Sequence, residues 1–140
     1  MLPTVVFLCV ANAARSQMAE GFARVHAPKD WKVFSAGSNP ASRVSRRATE
    51  VMREVGIDIS GQKPKGMNEV PLADADLIVT LCADEVCPVV PGAARKLHWP
   101  FPDPAAAAGS ESEQLQAFRH VRDQIAGKLE ELWKESPRKY

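Results

Sequence analysis

The chain has 140 residues, of which 45% are hydrophobic and 25% are charged. This length and composition suit one sizeable core and leave no room for a second of ordinary size, so we predict a single domain over residues 1–140. The formal net charge of +1 argues against nucleic acid and an anionic membrane surface as partners, although a local basic pocket is compatible with it. The apolar runs are far too short for a membrane span and no charged leader is present, so we expect a cytoplasmic protein.

Short β-branched runs alternate with amphipathic segments along the chain. Such runs predict buried strands at residues 4–10 and 77–81, and two further strands are predicted at 32–36 and 95–99. The amphipathic segments predict helices at 15–25, at about 44–55, and from Ser110 onward, where Glu113 completes a capping box and Gly56 marks the end of the second helix. The predicted core faces of the helices include Met18, Phe22, Val25, Val44, Ala48, Val51, Met52, Val55, Leu115, Phe118, Val121, Ile125, Leu129 and Leu132.

Alternation of strands and helices implies right-handed crossovers. We therefore predict an α/β three-layer sandwich, a four-stranded parallel sheet with helices on both faces. Ligands of such sheets bind at the carboxyl ends of the strands, which directs attention to the segments after Val10, Leu81 and Trp99.

The loop between the first strand and the first helix carries the strongest chemical signal. A helix N-terminus presents unpaired N–H groups and partial positive charge, so a loop that enters one can hold an oxyanion. Arg15 adds a planar fork for two oxyanion oxygens, and the same field, together with Ser16, stabilises the thiolate of Cys9 as a nucleophile. The predicted substrate-binding residues are Val10, Ala11, Asn12, Ala13, Ala14, Arg15 and Ser16.

The alternative for Cys9 is an inert role, since most buried cysteines behave as small hydrophobes. A lone cysteine would favour that interpretation. The arginine and serine that follow at the start of a helix favour the nucleophile.

The spacing C-x5-R-S after the first strand, continued by Gln17-Met18-Ala19-Glu20, resembles the low-molecular-weight tyrosine phosphatase fold. It resembles more closely the arsenate reductases built on that fold. Ser35-Ala36-Gly37 and Asp103-Pro104 fit the same pattern, which extends from Val5 to about Trp133. The resemblance implies the phosphatase-type sheet, with Cys9 as nucleophile and Arg15 as anion ligand.

The sequence departs from the family pattern in three places. Ala11 stands where the family usually has glycine, and Ala14 where these reductases often have another cysteine. Some members bind potassium through an Asn, a Glu, a Ser and an Asp; Asn12, Glu20 and Ser35 match, but Lys63-Pro64-Lys65 replaces the aspartate. A lysine ammonium paired with Glu20 would take the place of the cation, so we predict no metal ion and no other cofactor.

Cys82 and Cys87 form a second candidate pair. A single C-x4-C supplies too few ligands for a metal site, and an inert role is possible for either cysteine alone. The resemblance implies a relay in which Cys9 attacks arsenate, Cys82 attacks Cys9, and Cys87 completes a disulfide with Cys82 that thioredoxin then reduces. Because of their spacing, the two cysteines can meet only if the segment between them moves.

Asp103, between Pro102 and Pro104, is the candidate general acid that the resemblance implies. The alternative is ordinary Asp-Pro turn chemistry. The phosphatases commonly have an aromatic residue just after this pair, whereas alanines occupy 105–108 here, which implies a small inorganic substrate.

Three functions remain open at this point: a thioredoxin-coupled arsenate reductase, which we favour, a phosphatase acting through Cys9, and an oxyanion sensor without turnover. The pair Cys82 and Cys87 distinguishes the first from the second, because hydrolysis needs neither thiol. The basic group Arg43, Arg46 and Arg47 is most simply the solvated face of a helix, and docking of a partner is the alternative.

Overall fold

The structure of the protein, a computed structural model, describes residues 3–28, 31–83, 87–92 and 94–135. These ranges contain strands β1 (Thr4–Cys9), β2 (Lys32–Gly37), β3 (Leu77–Thr80) and β4 (Arg95–His98), and helices α1 (Arg15–His26), α2 (Arg46–Glu54) and α3 (Glu111–Lys134). Single-turn 3-10 helices lie at Met67–Glu69, Leu72–Asp74 and Pro104–Ala106. Met1 and Leu2, the start of the segment that we expect to carry no leader, lie outside the described residues.

The four strands form one parallel sheet in the order β2-β1-β3-β4. β1 is central: Phe7 is paired with Ser35 of β2 on one side and with Val79 of β3 on the other. β2, the next strand along the chain, lies on one side of β1, and β3 and β4 lie on the other, so the strand order switches at β1. Ligand sites of doubly wound sheets lie at such a switch point, and the parallel α/β sheet that we predicted is confirmed.

The side chains of β1 alternate between two cores. Val5 and Phe7 face the larger core, to which all three α-helices contribute, whereas Val6 and Leu8 face the smaller one. The smaller core is closed by Val70, Ala75 and the neighbouring 3-10 turns. Within the described part, the second outer layer therefore consists of short turns rather than long helices.

Most helix faces agree with the sequence pattern, with two exceptions. Phe118, Val121, Ile125, Leu129 and Leu132 of α3 are buried. Val25 and Val55, however, are 58% and 43% exposed, so their assignment to the core was wrong. Val25 lies in the last turn of α1 and Val55 is the C-cap of α2, where a helix has passed the surface against which it packs.

The two capping signals predicted for helix ends are confirmed. Ser110 and Glu113 form the capping box of α3, and Gly56 has a φ of +80° after α2, a left-handed conformation that glycine adopts without a Cβ penalty. No helix in the described ranges combines the length and apolarity needed to cross a bilayer.

Candidate active site

The loop that joins β1 to α1 is held from outside by the segment 38–45. Four of its carbonyl oxygens accept backbone hydrogen bonds from this segment: Ser38 N to Cys9 O (3.3 Å), Asn39 N to Val10 O (2.9 Å), Ala41 N to Ala11 O (2.9 Å) and Ser45 N to Ala13 O (2.8 Å). With the carbonyls turned toward segment 38–45, the amides of the loop are free to face inward, as an anion site requires. We call residues 9–15 the anion loop.

Cys9 lies at the base of the anion loop. Its side chain is buried, with Ser16 Oγ 2.8 Å from Sγ and the backbone N of Asn12 donating to Sγ at 3.2 Å. It is a free thiol. The amide of Asn12 and the hydroxyl of Ser16 both contact the sulfur at the start of α1, so the geometry agrees with a nucleophilic role for Cys9.

Asn12 holds the turn of the anion loop. Its φ of +50° lies in the left-handed region, which asparagine tolerates better than most residues. Its side chain is fully buried and makes four hydrogen bonds. Nδ2 donates to Ser16 Oγ (2.7 Å) and Ser35 Oγ (3.0 Å), while Oδ1 accepts from Lys65 N (2.8 Å) and Gln17 Nε2 (2.9 Å).

Gly37 permits β2 to approach this loop closely. A Cβ at this position would collide with the carbonyl oxygen of Val10 and lie 3.0 Å from the backbone N of Asn12. Both neighbours are backbone atoms and cannot rotate away. The glycine of Ser35-Ala36-Gly37 is therefore required by the packing of the anion loop.

Arg15 connects the anion loop to the ends of two other segments. The residue is 5% exposed, and Nη1 donates to the carbonyl oxygens of Phe101 (2.9 Å) and Leu81 (3.4 Å). Leu81 directly precedes Cys82, and Phe101 lies two residues before Asp103. One guanidinium thus brings the three segments that we singled out from the sequence to the same edge of the sheet.

Cys82 and Cys87 are joined by a disulfide, with their Cα atoms 5.7 Å apart. Cys82 is fully buried and Cys87 is partly exposed. The intervening residues 84–86 lie outside the described part. The structure therefore corresponds to a state in which Cys82 and Cys87 are oxidised and Cys9 is reduced.

Asp103 lies at the start of the 3-10 turn Pro104–Ala106, and its Oδ1 accepts from the backbone N of Ala105 at 3.0 Å. This is the turn chemistry that we considered as the alternative role. The carboxylate is also partly exposed in the segment whose Phe101 carbonyl binds Arg15. Capping of a turn orients a carboxylate without consuming its capacity to bind a proton, so the two roles are compatible.

Glu20 is the carboxylate that we expected to pair with a lysine in the place of a cation. Its buried carboxylate accepts from Ser35 Oγ (2.5 Å) and Arg24 Nε (2.9 Å), and Lys65 Nζ lies 3.5 Å away. Of the two candidate lysines, Lys65 forms the ion pair, while Lys63 contributes its carbonyl oxygen to Lys65 Nζ at 2.8 Å. No group of three or more metal-ligating side chains occurs in the described ranges.

Two glutamines support the anion loop and were missed by the sequence analysis. Gln17 is fully buried, and its Nε2 donates to the backbone and side-chain oxygens of Asn12 and to Lys63 O. Gln62 Nε2 in turn donates to Gln17 Oε1 at 2.7 Å. The sequence carried one signal for Gln17: a polar side chain next to the buried Met18, in the first turn of a helix that packs on the core.

Comparison with known sequences agrees with this geometry. A family model described as low molecular weight phosphotyrosine protein phosphatase matches residues 4–139. The chain belongs to this family. Among the curated relatives of this low-molecular-weight phosphatase family protein is the arsenate reductase of Bacillus subtilis strain 168, which is 45% identical over 130 residues, 91% of this chain and 93% of the relative.

Solved structures of arsenate reductases are similar to this family member throughout the fold. The arsenate reductase from Archaeoglobus fulgidus superposes with a TM-score of 0.80 at 34% identity and covers 94% of this chain and 99% of its own. A thioredoxin-dependent arsenate reductase of Corynebacterium glutamicum superposes with a TM-score of 0.74 at 32% identity, over 95% of this chain and 61% of its own.

Proposed function

We propose that this protein reduces arsenate to arsenite by a relay of Cys9, Cys82 and Cys87, with thioredoxin as the reductant of the final disulfide. The observation that carries the proposal is the Cys82–Cys87 disulfide, which begins one residue after the Leu81 carbonyl bound by Arg15. Hydrolysis has no use for a dithiol at this place, whereas reduction requires one. The arsenate reductase relatives support the same chemistry.

The first step forms a covalent adduct. The thiolate of Cys9 attacks the arsenic atom of arsenate, an As–S bond forms, and one arsenate oxygen leaves as water after protonation. Arg15 and the amides of the anion loop stabilise the negative charge on the remaining oxygens. We assign Asp103 as the acid that protonates the leaving oxygen.

The next two steps move the electrons and the disulfide. The Cys82 thiolate attacks Sγ of Cys9, the As–S bond breaks with its electron pair retained by arsenic, and arsenite leaves. The Cys87 thiolate then attacks Sγ of Cys82, which releases Cys9 as a thiolate and forms the Cys82–Cys87 disulfide. Two thiolates have supplied two electrons, and the product state has the oxidation pattern of this structure.

Thioredoxin completes the cycle by exchanging its dithiol for the Cys82–Cys87 disulfide. Cys87 is the partly exposed member of the pair, so we assign it as the sulfur that thioredoxin attacks. A thioredoxin-dependent relative of similar structure supports this partner. A cytoplasmic location fits the proposal because the relay starts from three reduced thiols.

A phosphatase is the second candidate. Cys9, Arg15 and Asp103 suffice to hydrolyse a phosphoester through a phosphocysteine, and the matching family model is named for that activity. The two candidates differ in their need for Cys82 and Cys87, and this difference defines the experiment.

The experiment compares the two activities in the wild type and in the variants Cys82→Ser and Cys87→Ser. Arsenite production is measured with thioredoxin, thioredoxin reductase and NADPH, and hydrolysis with p-nitrophenyl phosphate. We expect Cys82→Ser to form the adduct and turn over poorly. Cys87→Ser should release one equivalent of arsenite and stall with a Cys9–Cys82 disulfide, and both variants should keep the wild-type hydrolysis rate.

Cys9→Ser is the matched control, because the hydroxyl of serine is not ionised near neutral pH and both activities should be lost. Mass spectrometry of the fully reduced wild type after one turnover without thioredoxin should find Cys82 joined to Cys87. If both thiols are still alkylatable after arsenate treatment, the reductase proposal is wrong and the phosphatase remains.

A further inference from the structure

Three arginines lie in or directly after segment 38–45, which holds the anion loop, and the proposed relay uses none of them. Arg43 is located between two residues whose backbone N–H groups bind the loop, Ala41 (to Ala11 O, 2.9 Å) and Ser45 (to Ala13 O, 2.8 Å). Since consecutive Cα atoms are about 3.8 Å apart, Arg43 is confined to the immediate surroundings of these contacts. Arg46 and Arg47 follow at once, as the first residues of α2.

These arginines lack carboxylate partners in the described part of the chain. Arg24, Arg119 and Arg122 each form an ion pair with an acidic side chain. Arg43 and Arg46 are exposed, and Nε of Arg47 is buried without a hydrogen-bond partner among the described residues. Glu50, the next acid along α2, forms no ion pair with any of the three within those residues.

The position of Arg46 and Arg47 is unfavourable for the helix that carries them. The first turn of α2 contains no acidic residue, although the positive end of the helix dipole favours acids there and disfavours cations. Folding alone thus gives no reason for two arginines at this place. Attraction of an anion toward the neighbouring anion loop would explain their presence.

We propose that Arg43, Arg46 and Arg47 form a cationic rim that captures the oxyanion substrate before it enters the anion loop. The identification of that substrate as arsenate rests on the function proposed above. Attraction between exposed charges acts over about 10 Å at 0.1 M salt, and neighbouring positive charges raise the local concentration of an anionic substrate. The rim determines the rate of capture and takes no part in the chemical steps.

The first test is steady-state kinetics of the triple variant Arg43→Gln/Arg46→Gln/Arg47→Gln. We expect its kcat/KM for arsenate at low ionic strength to fall on the order of tenfold through a raised KM, with kcat unchanged. The difference from the wild type should shrink as salt is added, because the interaction is screened. If the triple variant has the same KM for arsenate as the wild type at low ionic strength, the proposal is wrong.

The matched control is Lys32→Gln/Lys128→Gln/Lys134→Gln, which removes the same charge from three exposed side chains. Lys32 begins β2, at the end of the strand opposite Gly37, and Lys134 ends α3. This variant should keep the wild-type KM at every salt concentration. If it loses as much as the arginine variant, net charge rather than the rim is responsible, and the proposal is wrong.

The second test needs no turnover. In the oxidised protein Cys9 is the free thiol, so its alkylation by anionic iodoacetate and by neutral iodoacetamide can be compared directly. We expect the rate with iodoacetate, divided by the rate with iodoacetamide, to fall several-fold in the arginine variant because only the iodoacetate reaction slows. The same ratio should be unchanged in the lysine variant. An unchanged ratio in the arginine variant contradicts the rim.

The two tests separate the rim from the proposed reaction. If the alkylation ratio falls while the wild type makes no arsenite, the rim stands as an anion-capture site and arsenate is the wrong substrate. If only the KM for thioredoxin rises in the arginine variant, the patch binds the protein partner and the rim is rejected. Thermal melts check folding, and loss of cations from the first turn of α2 should leave Tm unchanged or raise it.

Discussion

At the scale of single residues, Arg15 has two tasks that other side chains could not combine. It is the guanidinium of the anion loop, and it binds the carbonyls that precede Cys82 and Asp103. A planar fork of donors can bind two oxyanion oxygens and still retain N–H groups for the backbone. The candidate nucleophile, resolving thiol and acid therefore depend on one side chain for their arrangement.

Arg15→Lys tests this dependence. A lysine keeps the charge and loses the fork, and the loss of one donor to the transition state typically costs about 2.7–4 kcal/mol. We expect kcat/KM for arsenate to fall by roughly 100- to 1,000-fold, together with the rate of adduct formation in single-turnover experiments. Near-wild-type kinetics would show that the anion loop works without a bidentate ligand.

Gly37→Ala tests the close contact between β2 and the anion loop. The added methyl group meets the carbonyl of Val10 and the amide of Asn12, so the loop must shift, and overpacking of this kind costs about 1–3 kcal/mol. Chemical denaturation should register that loss, and arsenite production should fall with it. Gly127→Ala on α3 is the control: its Cβ would meet nothing within 4 Å, and the variant should be as stable as the wild type or more stable by about 0.5–1 kcal/mol.

At the scale of elements, Lys65 fastens the segment after α2 to helix α1. Its backbone N binds Asn12 and its Nζ lies 3.5 Å from Glu20, so the same residue supports the anion loop and neutralises a buried carboxylate. The negative charge of Glu20 is therefore balanced by the ammonium group of Lys65, a residue of the same chain.

We expect Lys65→Ala to lower the free energy of unfolding by about 1 kcal/mol, because Glu20 keeps Ser35 and Arg24 as partners while it loses a cation. At constant ionic strength, potassium should raise Tm of this variant above its value in choline chloride and leave the wild type unaffected. Lys63→Ala, which removes an exposed side chain and keeps the carbonyl, should behave as the wild type does. Equal Tm values of Lys65→Ala and Lys63→Ala would contradict the role of the Lys65 ammonium.

The elements were predictable where the signal is local. Runs rich in β-branched residues located β1 and β3, and the capping pair Ser110 and Glu113 located the start of α3. Val25 and Val55 were wrongly predicted to be buried. Periodicity identifies the apolar face of a helix, but it does not show where the helix extends past the elements that cover that face. Helix boundaries shift by one or two residues for the same reason.

The candidate site was predictable at its chemical residues and not at its supports. The sulfur of Cys9 and the guanidinium of Arg15 follow from chemistry and spacing, and the resemblance assigned Cys82, Cys87 and Asp103. The roles of all five residues stay predictions. The link from Gln62 to Gln17 joins residues 45 positions apart, and no local pattern encodes such a pair. The choice between Lys63 and Lys65 likewise depended on a loop conformation.

At the scale of the whole molecule, the helical layer is fastened by an ion-pair group between α2 and α3. Glu54 accepts hydrogen bonds from Arg119 Nε and Nη2 and from Arg122 Nη1, which also binds the carbonyl of Val51. These contacts connect the helix that begins at the rim with the longest helix of the fold. That residues 1–140 form one domain stays a prediction, but this group couples α2 to the larger core.

The pH dependence of stability should report this group. The hydrogen bonds from Arg119, then those from Arg122, lower the pKa of Glu54 from its ordinary 4.5 to about 2. A carboxylate with a lowered pKa in the folded state stabilises the protein above pH 4.5, and its contribution is lost as the pH falls toward 2. The full shift would correspond to roughly 3 kcal/mol, but the side chain is 35% exposed and solvent screening reduces the expected value to about 1 kcal/mol.

Glu54→Gln should therefore lower the free energy of unfolding by about 1 kcal/mol at pH 7, and the difference from the wild type should disappear as the pH approaches 2. Denaturation curves at several pH values measure it. Glu130→Gln is the matched control, since Glu130 pairs with Lys134 on the exposed surface of α3 with both side chains at least 70% exposed, and we expect no change at any pH. A Glu54→Gln deficit that persisted unchanged down to pH 2 would mean that the carboxylate charge does not hold α2 to α3, and that the loss comes from packing instead.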